Sequence, residues 1–355
     1  MRKATASALM SLSLLLPAGW PHHVALGVSD SPGHAQQLAH RTHVDARYQY
    51  LAGGVNTGQG WATWNPGGAF ASSYVRESIR SHIIPVLTYY QLLQSKPSAG
   101  GDELHRDISN LRNGATMRAY WNDYKLLLRK IASVQRRHLV IVHVEPDLWG
   151  YLEQANETQL ARSFAHRLIA LRKRIAPRVR LAWHLSVWGT REDPTYSKPS
   201  LAHMRALGAR SAAFYKSLHA HFNLIFNDVS DRDAGYYQHI EGNPHTWWGP
   251  ADFHRHDAYI SAFTRRTHVP VVLWQLPLGN SGLPDTWGRY RDNRLQWWFG
   301  AHSRGHLRAS RAAGIIGFLF GGGADGTTSD TTDGGFFYRV AHAYEAHPLK
   351  LGRRR

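Results

Sequence analysis

The chain has 355 residues, 43% of them hydrophobic, which is ample for one large core and too much for a single small domain. Lys and Arg number 42 against 25 Asp and Glu, a formal charge of +17, and cysteine is absent, which excludes disulfides, a thiolate nucleophile and a Cys-type zinc site. Setting aside six cations near the two ends and Asp30 leaves 36 cations against 24 acids, about +12 on the body, a surface that attracts anionic polymers or membranes.

In chain order, MRKATASALMSLSLLLPAG comes first: Arg2 and Lys3, then apolar and small residues up to Pro17. This is the grammar of a secretory signal peptide, too short for a permanent membrane span. Cleavage is expected after Ala35, giving a leader over 1–35, an extension over 36–47, a catalytic domain over 48–349 and a basic tail over 350–355. The protein is expected to be secreted or periplasmic.

Seven strand-length apolar runs follow: YQYLAGGV (48–55), IIPVLTYY (83–90), LVIVHVE (139–145), RLAWHLS (180–186), NLIFND (223–228), VPVVLWQL (269–276) and GIIGFLFG (314–321). Between them lie segments of helical period, such as MRAYWNDYKLLLRKIASV, TQLARSFAHRLIALRKRI and NRLQWWFGAHSRGHLRAS. Continuous rather than alternating hydrophobicity implies strands covered on both faces. The expected fold is α/β, a single TIM-like (β/α) barrel of about seven parallel strands. No GxGxxG follows the first strand and no GxxxxGK[ST] occurs, so a nucleotide-binding fold has little support.

In such a barrel chemistry sits where strands end. The first strand delivers Asn56, Gln59, Trp61 and Trp64; the second Tyr90 and Gln91; the third Glu145, Asp147, Trp149 and Tyr151; the fourth His184 and Trp188. The fifth delivers Asn227, Asp228 and Asp231, the sixth Gln275 and Asn280, and the seventh GGGADGTTSDTTDGG with Asp325, Asp330 and Asp333. Aromatic platforms beside acids and amides suit sugars, whose C–H faces stack and whose hydroxyls exchange hydrogen bonds. Cleaving a glycosidic bond takes two carboxyl groups, one protonated and one ionised. Residues i and i+2 of an extended segment point the same way, so Glu145 and Asp147 are expected to share a site, with Asp147 raised in pKa by its like-charged neighbour.

EPD at the end of a mid-chain strand, with GADGTTSD late in the chain, resembles the family-6 glycoside hydrolases, the inverting cellobiohydrolases and endoglucanases. Those carry an EPDS-type motif with the catalytic acid and a GESDGTSD-type loop whose first Asp is the candidate base. The resemblance implies a distorted seven-strand barrel, Asp147 as acid with Glu145 beside it and Asp325 as base, with Gly326, Thr327 and Asp330 completing the loop. LAWHLSVWG, the Asn227 segment and LGN at 278–280 echo the family in order. The chain departs from it at LTYYQLLQ, where the family has an Asp after the second strand, and at Ala324, where it has Glu.

Some readings stay open. Asp292 and Arg294 after the sixth strand either face the cleft or serve a helix start; Asp231 and Asp233 either line the site or pair with neighbouring cations. Asp147 is an acid or a helix-capping residue, and the Gly- and Asp-rich loop after the seventh strand either forms turns or binds calcium. The expected function is a secreted glycoside hydrolase acting on a polysaccharide, with no cofactor or metal, acting as a monomer. The alternatives are a non-catalytic glycan-binding barrel or a retaining glycosidase using Glu145. No RNA-binding signature accompanies the basic charge, so no specific nucleic acid is expected, only weak association with anionic surfaces.

Overall fold

The computed structural model describes residues 14–352. Eight parallel strands close into a barrel in chain order: β1 Ala25–Ser29, β2 Ala46–Leu51, β3 Ile84–Tyr89, β4 Ile141–Val144, β5 Arg180–Leu185, β6 Leu224–Asp228, β7 Val271–Leu276 and β8 Ile315–Phe320. The last seven are the seven apolar runs read from the sequence. The eighth, β1, pairs with β2 and β8 and lies inside the segment assigned to the leader. The count of about seven is therefore corrected to eight, and the barrel starts well before residue 48. Cleavage after Ala35 would remove β1 and open the barrel. Residues 1–13 and 353–355, the first thirteen residues of the leader and the last three of the basic tail, lie outside the described residues.

β1 was hidden by its composition. ALGVS is short and small because it runs where space is tight: a Cβ on Gly27 would lie 2.4 Å from the Ala46 carbonyl oxygen and from the Leu319 side chain. Nothing distinguishes such a strand from the small residues that precede a cleavage site.

The period-2 alternation of each strand sorts side chains into two cores. Val142 and Val144 of β4, Leu181, Trp183 and Leu185 of β5, and Leu273 of β7 pack outward against the helices. Ile141, Ala182, Phe226, Val272 and Trp274 fill the barrel, closed at the strand N-termini by Trp20 and Leu139. Long amphipathic helices cover the outside: Gly114–Gln135, Thr158–Ile175, Leu201–Ser217 and Pro250–Thr267. Side-chain caps start two of them, Asn113 accepting from the amides of Ala115 and Thr116 and Ser200 from that of His203. The single helix expected over 293–310 is two, Arg294–Phe299 and Arg304–Ala313, because the chain turns extended at Gly300, where a Cβ would meet the Gln296 carbonyl at 2.5 Å.

Candidate active site

The end of β4 separates the two acids instead of pairing them. Glu145 takes the left-handed conformation (φ 45°), its amide still donating to the Tyr89 carbonyl at 2.8 Å, and Pro146 opens the helix Pro146–Gln154. The segment is not extended, so the two carboxylates diverge. That of Glu145 turns into the protein, wholly buried, and accepts from the amides of Gln91 (3.1 Å to each oxygen) and Leu92 (3.2 Å). Burial pushes it up to about 8 against the pull of those amides. It anchors the loop after β3 and lines no cleft.

Asp147, one helical step on, faces a cleft of about 540 Å³ at the C-terminal ends of the strands. The Tyr90 hydroxyl donates to its Oδ2 at 2.8 Å. Burial pushes Asp147 up to about 6; Tyr90 and His184 oppose the rise, and the negative charges of Asp228 and Glu103 add to it. The like-charged neighbour that matters in the cleft is thus Asp228, at the end of β6, rather than Glu145.

Asp228 is held from inside the barrel. His184 Nε2 lies 2.9 Å from its Oδ1, His143 Nε2 lies 3.0 Å from His184 Nδ1, and Thr88 Oγ1 lies 3.4 Å from His143 Nδ1. His143 and His184 are almost completely buried. Burial, with the neighbouring His184, holds His143 well below the usual histidine range and so uncharged. Around the mouth Tyr50 meets Trp274 at 5.6 Å and Tyr90 at 6.5 Å between ring centroids, and Trp188, Trp248, Tyr151 and Tyr237 complete an aromatic rim. Six carboxylates line the cleft, those of Glu103, Asp147, Asp193, Asp228, Asp231 and Asp252, against the guanidiniums of Arg255 and Arg294. Among the described residues no group of three or more His, Asp and Glu is placed to hold a metal ion.

Of the residues singled out from the sequence, Tyr90, Asp147, Tyr151, His184, Trp188, Asp228, Asp231, Gln275 and Arg294 line this cleft. The others do not. Trp61 is fully buried and donates to Asp123 at 2.7 Å, and Trp149 is buried against Phe164 and Trp183 and donates to the Val144 carbonyl at 2.8 Å. Trp64 is 44% exposed and packs edge-on against Phe70, away from the cleft. Gln91 and Asn227 spend their amides on the Leu51 and Leu185 carbonyls, and Asn227 Oδ1 also pairs with His256 Nε2 at 2.7 Å. Asn280 donates to the Asp333 carbonyl. Asp292 is buried and structural, accepting from the amides of Ala234 and Arg294 (2.8 Å each) and from the Arg294 guanidinium, which stacks over Trp248.

The late acid loop also departs from expectation. Asp325 is exposed and outside the cleft lining, with its carbonyl accepting from Arg232, while Asp330 borders a separate groove near Asp30 and accepts from Tyr338. Asp231 lines the cleft and accepts from Tyr237; Asp233 is buried and accepts from the amides of Gly279 and Thr328. Tyr50, His256 and Trp274, which line the cleft, were not singled out as site residues. Tyr50 and Trp274 sit at inward positions of apolar strands, where periodicity reads them as core.

These features define a (β/α)8 barrel with an acidic, aromatic-rimmed cleft at its C-terminal face. No family profile and no curated protein sequence matches the chain. Solved structures do resemble it at the level of the fold. An exo-β-1,4-mannosidase from Opitutaceae bacterium strain TAV5 superposes with a TM-score of 0.58 at 10% identity over 96% of this chain and 63% of that one. A modular endo-β-1,4-mannanase of glycoside hydrolase family 26 from Cellulomonas fimi gives 0.54 at 11% over 93% and 72%. Family 6 is not singled out: cellobiohydrolase II from Humicola insolens gives 0.40 at 15% over 69% and 65%, one glycosidase among several.

Proposed function

We propose that the protein is a glycoside hydrolase in which Asp147 is the proton donor and Asp228 the ionised partner. The observation that carries this reading is the placement of the two carboxylates at the ends of β4 and β6, facing one cleft rimmed by Tyr50, Trp188 and Trp248. Burial keeps Asp147 protonated well above the usual carboxylate range, as a donor to a leaving oxygen needs. His184 Nε2 donates to the Asp228 carboxylate and holds it in place at the cleft wall. Aromatic faces stack sugar rings, and the acids in the floor meet their hydroxyls. The glycosidase barrels that share the fold lend support by analogy only. Asp228 takes the place expected of Asp325.

The substrate is a polysaccharide or oligosaccharide, and the protein acts as a monomer after export. A barrel that binds glycans without cleaving them is the second reading, favoured by the exclusion of both Glu145 and Asp325 from the cleft. Reducing-sugar release from β-mannans, β-glucans and acidic exopolysaccharides separates the two. Cleavage that Asp147→Asn lowers at least about a hundredfold sustains the hydrolase; retention of a glycan by wild type and variant alike, without cleavage, sustains the binder. The anomer first released, read by proton NMR, reports whether Asp228 activates water or attacks the sugar itself.

A further inference from the structure

The charge of the molecule is not spread evenly. The cleft face carries six carboxylates against two guanidiniums. The opposite face, formed by the segments that lead into β4 to β8 (135–140, 172–180, 216–223, 264–270 and 308–314), carries twelve Lys and Arg and no Asp or Glu. Most of these cations are exposed, Arg136, Arg137, Arg174, Arg178 and Arg265 among them. Their hydrogen bonds go to carbonyls: Arg178 donates to that of Arg136 at 2.8 Å, joining two of the segments, and Arg311 to that of Lys350 at 2.7 Å. Among the described residues no ion pair joins any of the twelve to a carboxylate; the arginine pairs that form use Arg47, Arg106, Arg112, Arg255, Arg291 and Arg294. The acids on neighbouring segments are already engaged, Asp45 by His23, Glu77 by Arg47 and Glu345 by His342.

Both arms of the chain leave on this side. The approach to β1 crosses the N-terminal mouth of the barrel, with Leu14 and Leu16 packed against its floor and Leu15 between them 65% exposed; upstream the sequence reads ALMSLS. At the other end Leu351 donates its amide to the His22 carbonyl at 2.8 Å, and Arg353 to Arg355 follow in sequence.

We propose that this N-terminal face of the barrel docks on an anionic lipid surface, leaving the acidic cleft turned outward to its substrate. Clustered guanidiniums match lipid phosphates, and a polybasic patch beside an apolar arm supplies the two signals that stable peripheral binding needs. Among the described residues no helix is long and apolar enough to cross a membrane. A polynucleotide fits less well, because the five segments expose no Phe, Tyr or Trp on which a base could stack, whereas Leu15 is a large apolar residue exposed beside them.

The test is co-sedimentation of the full chain with vesicles of equal parts phosphatidylglycerol and phosphatidylcholine, beside vesicles of phosphatidylcholine alone. Binding is expected to the anionic vesicles only, at least tenfold weaker in 0.5 M than in 0.05 M NaCl. Arg136→Glu/Arg137→Glu/Arg178→Glu should weaken it at least tenfold and Leu15→Asp severalfold, while Arg118→Glu/Arg205→Glu, exposed near the N-termini of outer helices, leaves it unchanged; unchanged thermal melts establish that each variant is folded. Absence of binding to anionic vesicles, or equal loss in both sets of arginine variants, overturns the proposal. Retention on immobilised polyphosphate or single-stranded DNA without vesicle binding overturns the choice of lipid.

Discussion

His184 Nε2 stands 2.9 Å from Asp228 Oδ1, and this contact gives the cleft its polarity. A carboxylate only accepts, so with one proton per ring Nε2 of His184 carries it and Nδ1 must accept. The donor is His143 Nε2 at 3.0 Å, whose own Nδ1 faces the Thr88 hydroxyl. Every proton in the row points toward Asp228, while Asp147 beyond it is pushed up to about 6 by burial.

Two substitutions test the division of roles. Asp147→Asn and Asp228→Asn should each lower glycan hydrolysis at least about a hundredfold, the scale of an acid/base group, while Asp325→Asn, exposed outside the cleft, should leave it within about twofold. Initial rates on whichever glycan is cleaved provide the comparison. An Asp325 effect as large as that of Asp228 would return the base to the late loop.

The histidine row gives a finer expectation. His143→Leu removes the donor to His184 Nδ1 and frees that ring to turn, so kcat should fall about tenfold with KM little changed. His143→Gln keeps an N–H in roughly the same place and should recover most of the rate. A purely structural role for His143 predicts instead that both variants lose stability and that surviving enzyme is equally active.

The strands carrying this site were legible because runs rich in Val, Ile and Leu bounded by helical periods admit few other readings, and Asp147 and Asp228 stood at their ends. Three things were not legible. The i and i+2 rule failed at Glu145 because Pro146 starts a helix, replacing a period of two by one of 3.6. Trp61 and Trp149 were read as loop aromatics, but the connections after β2 and β4 coil into short helices that press those indoles into the core. His143 sits within a strand, so the row behind Asp228 had no signal in the sequence: inward-facing polar residues of a barrel look the same as satisfied core histidines.

On the proposed function, Tyr90 sets the pH range in which Asp147 serves as a donor. With Asp147 near 6 in the fold, kcat/KM should decline as pH rises through about 6. The Tyr90 hydroxyl bonds the ionised carboxylate and so holds that value down; Tyr90→Phe removes the bond, and the alkaline limb should move upward by about half to one pH unit. A pH–rate profile of the two proteins measures the displacement, and a downward or absent shift would mean that the limb belongs to another group.

Glu145 makes a prediction about stability rather than catalysis. Its carboxyl is raised from 4.5 to about 8, so the folded protein keeps a proton that the unfolded chain releases near pH 4.5. Stability from this group is fully present below pH 4.5 and is lost as pH rises through 8, on the order of 3 to 5 kcal/mol across that window at about 1.4 kcal/mol per pH unit. Glu153, Asp233 and Asp257, each pushed up to about 7 by burial, act in the same direction. The urea midpoint should therefore fall steadily from pH 5 to pH 9. In Glu145→Gln the side chain stays uncharged while its oxygen still accepts from the amides of Gln91 and Leu92, so the midpoint should fall less steeply and exceed that of the wild type at pH 9. Parallel curves for the two proteins would show that Glu145 is ionised in the fold.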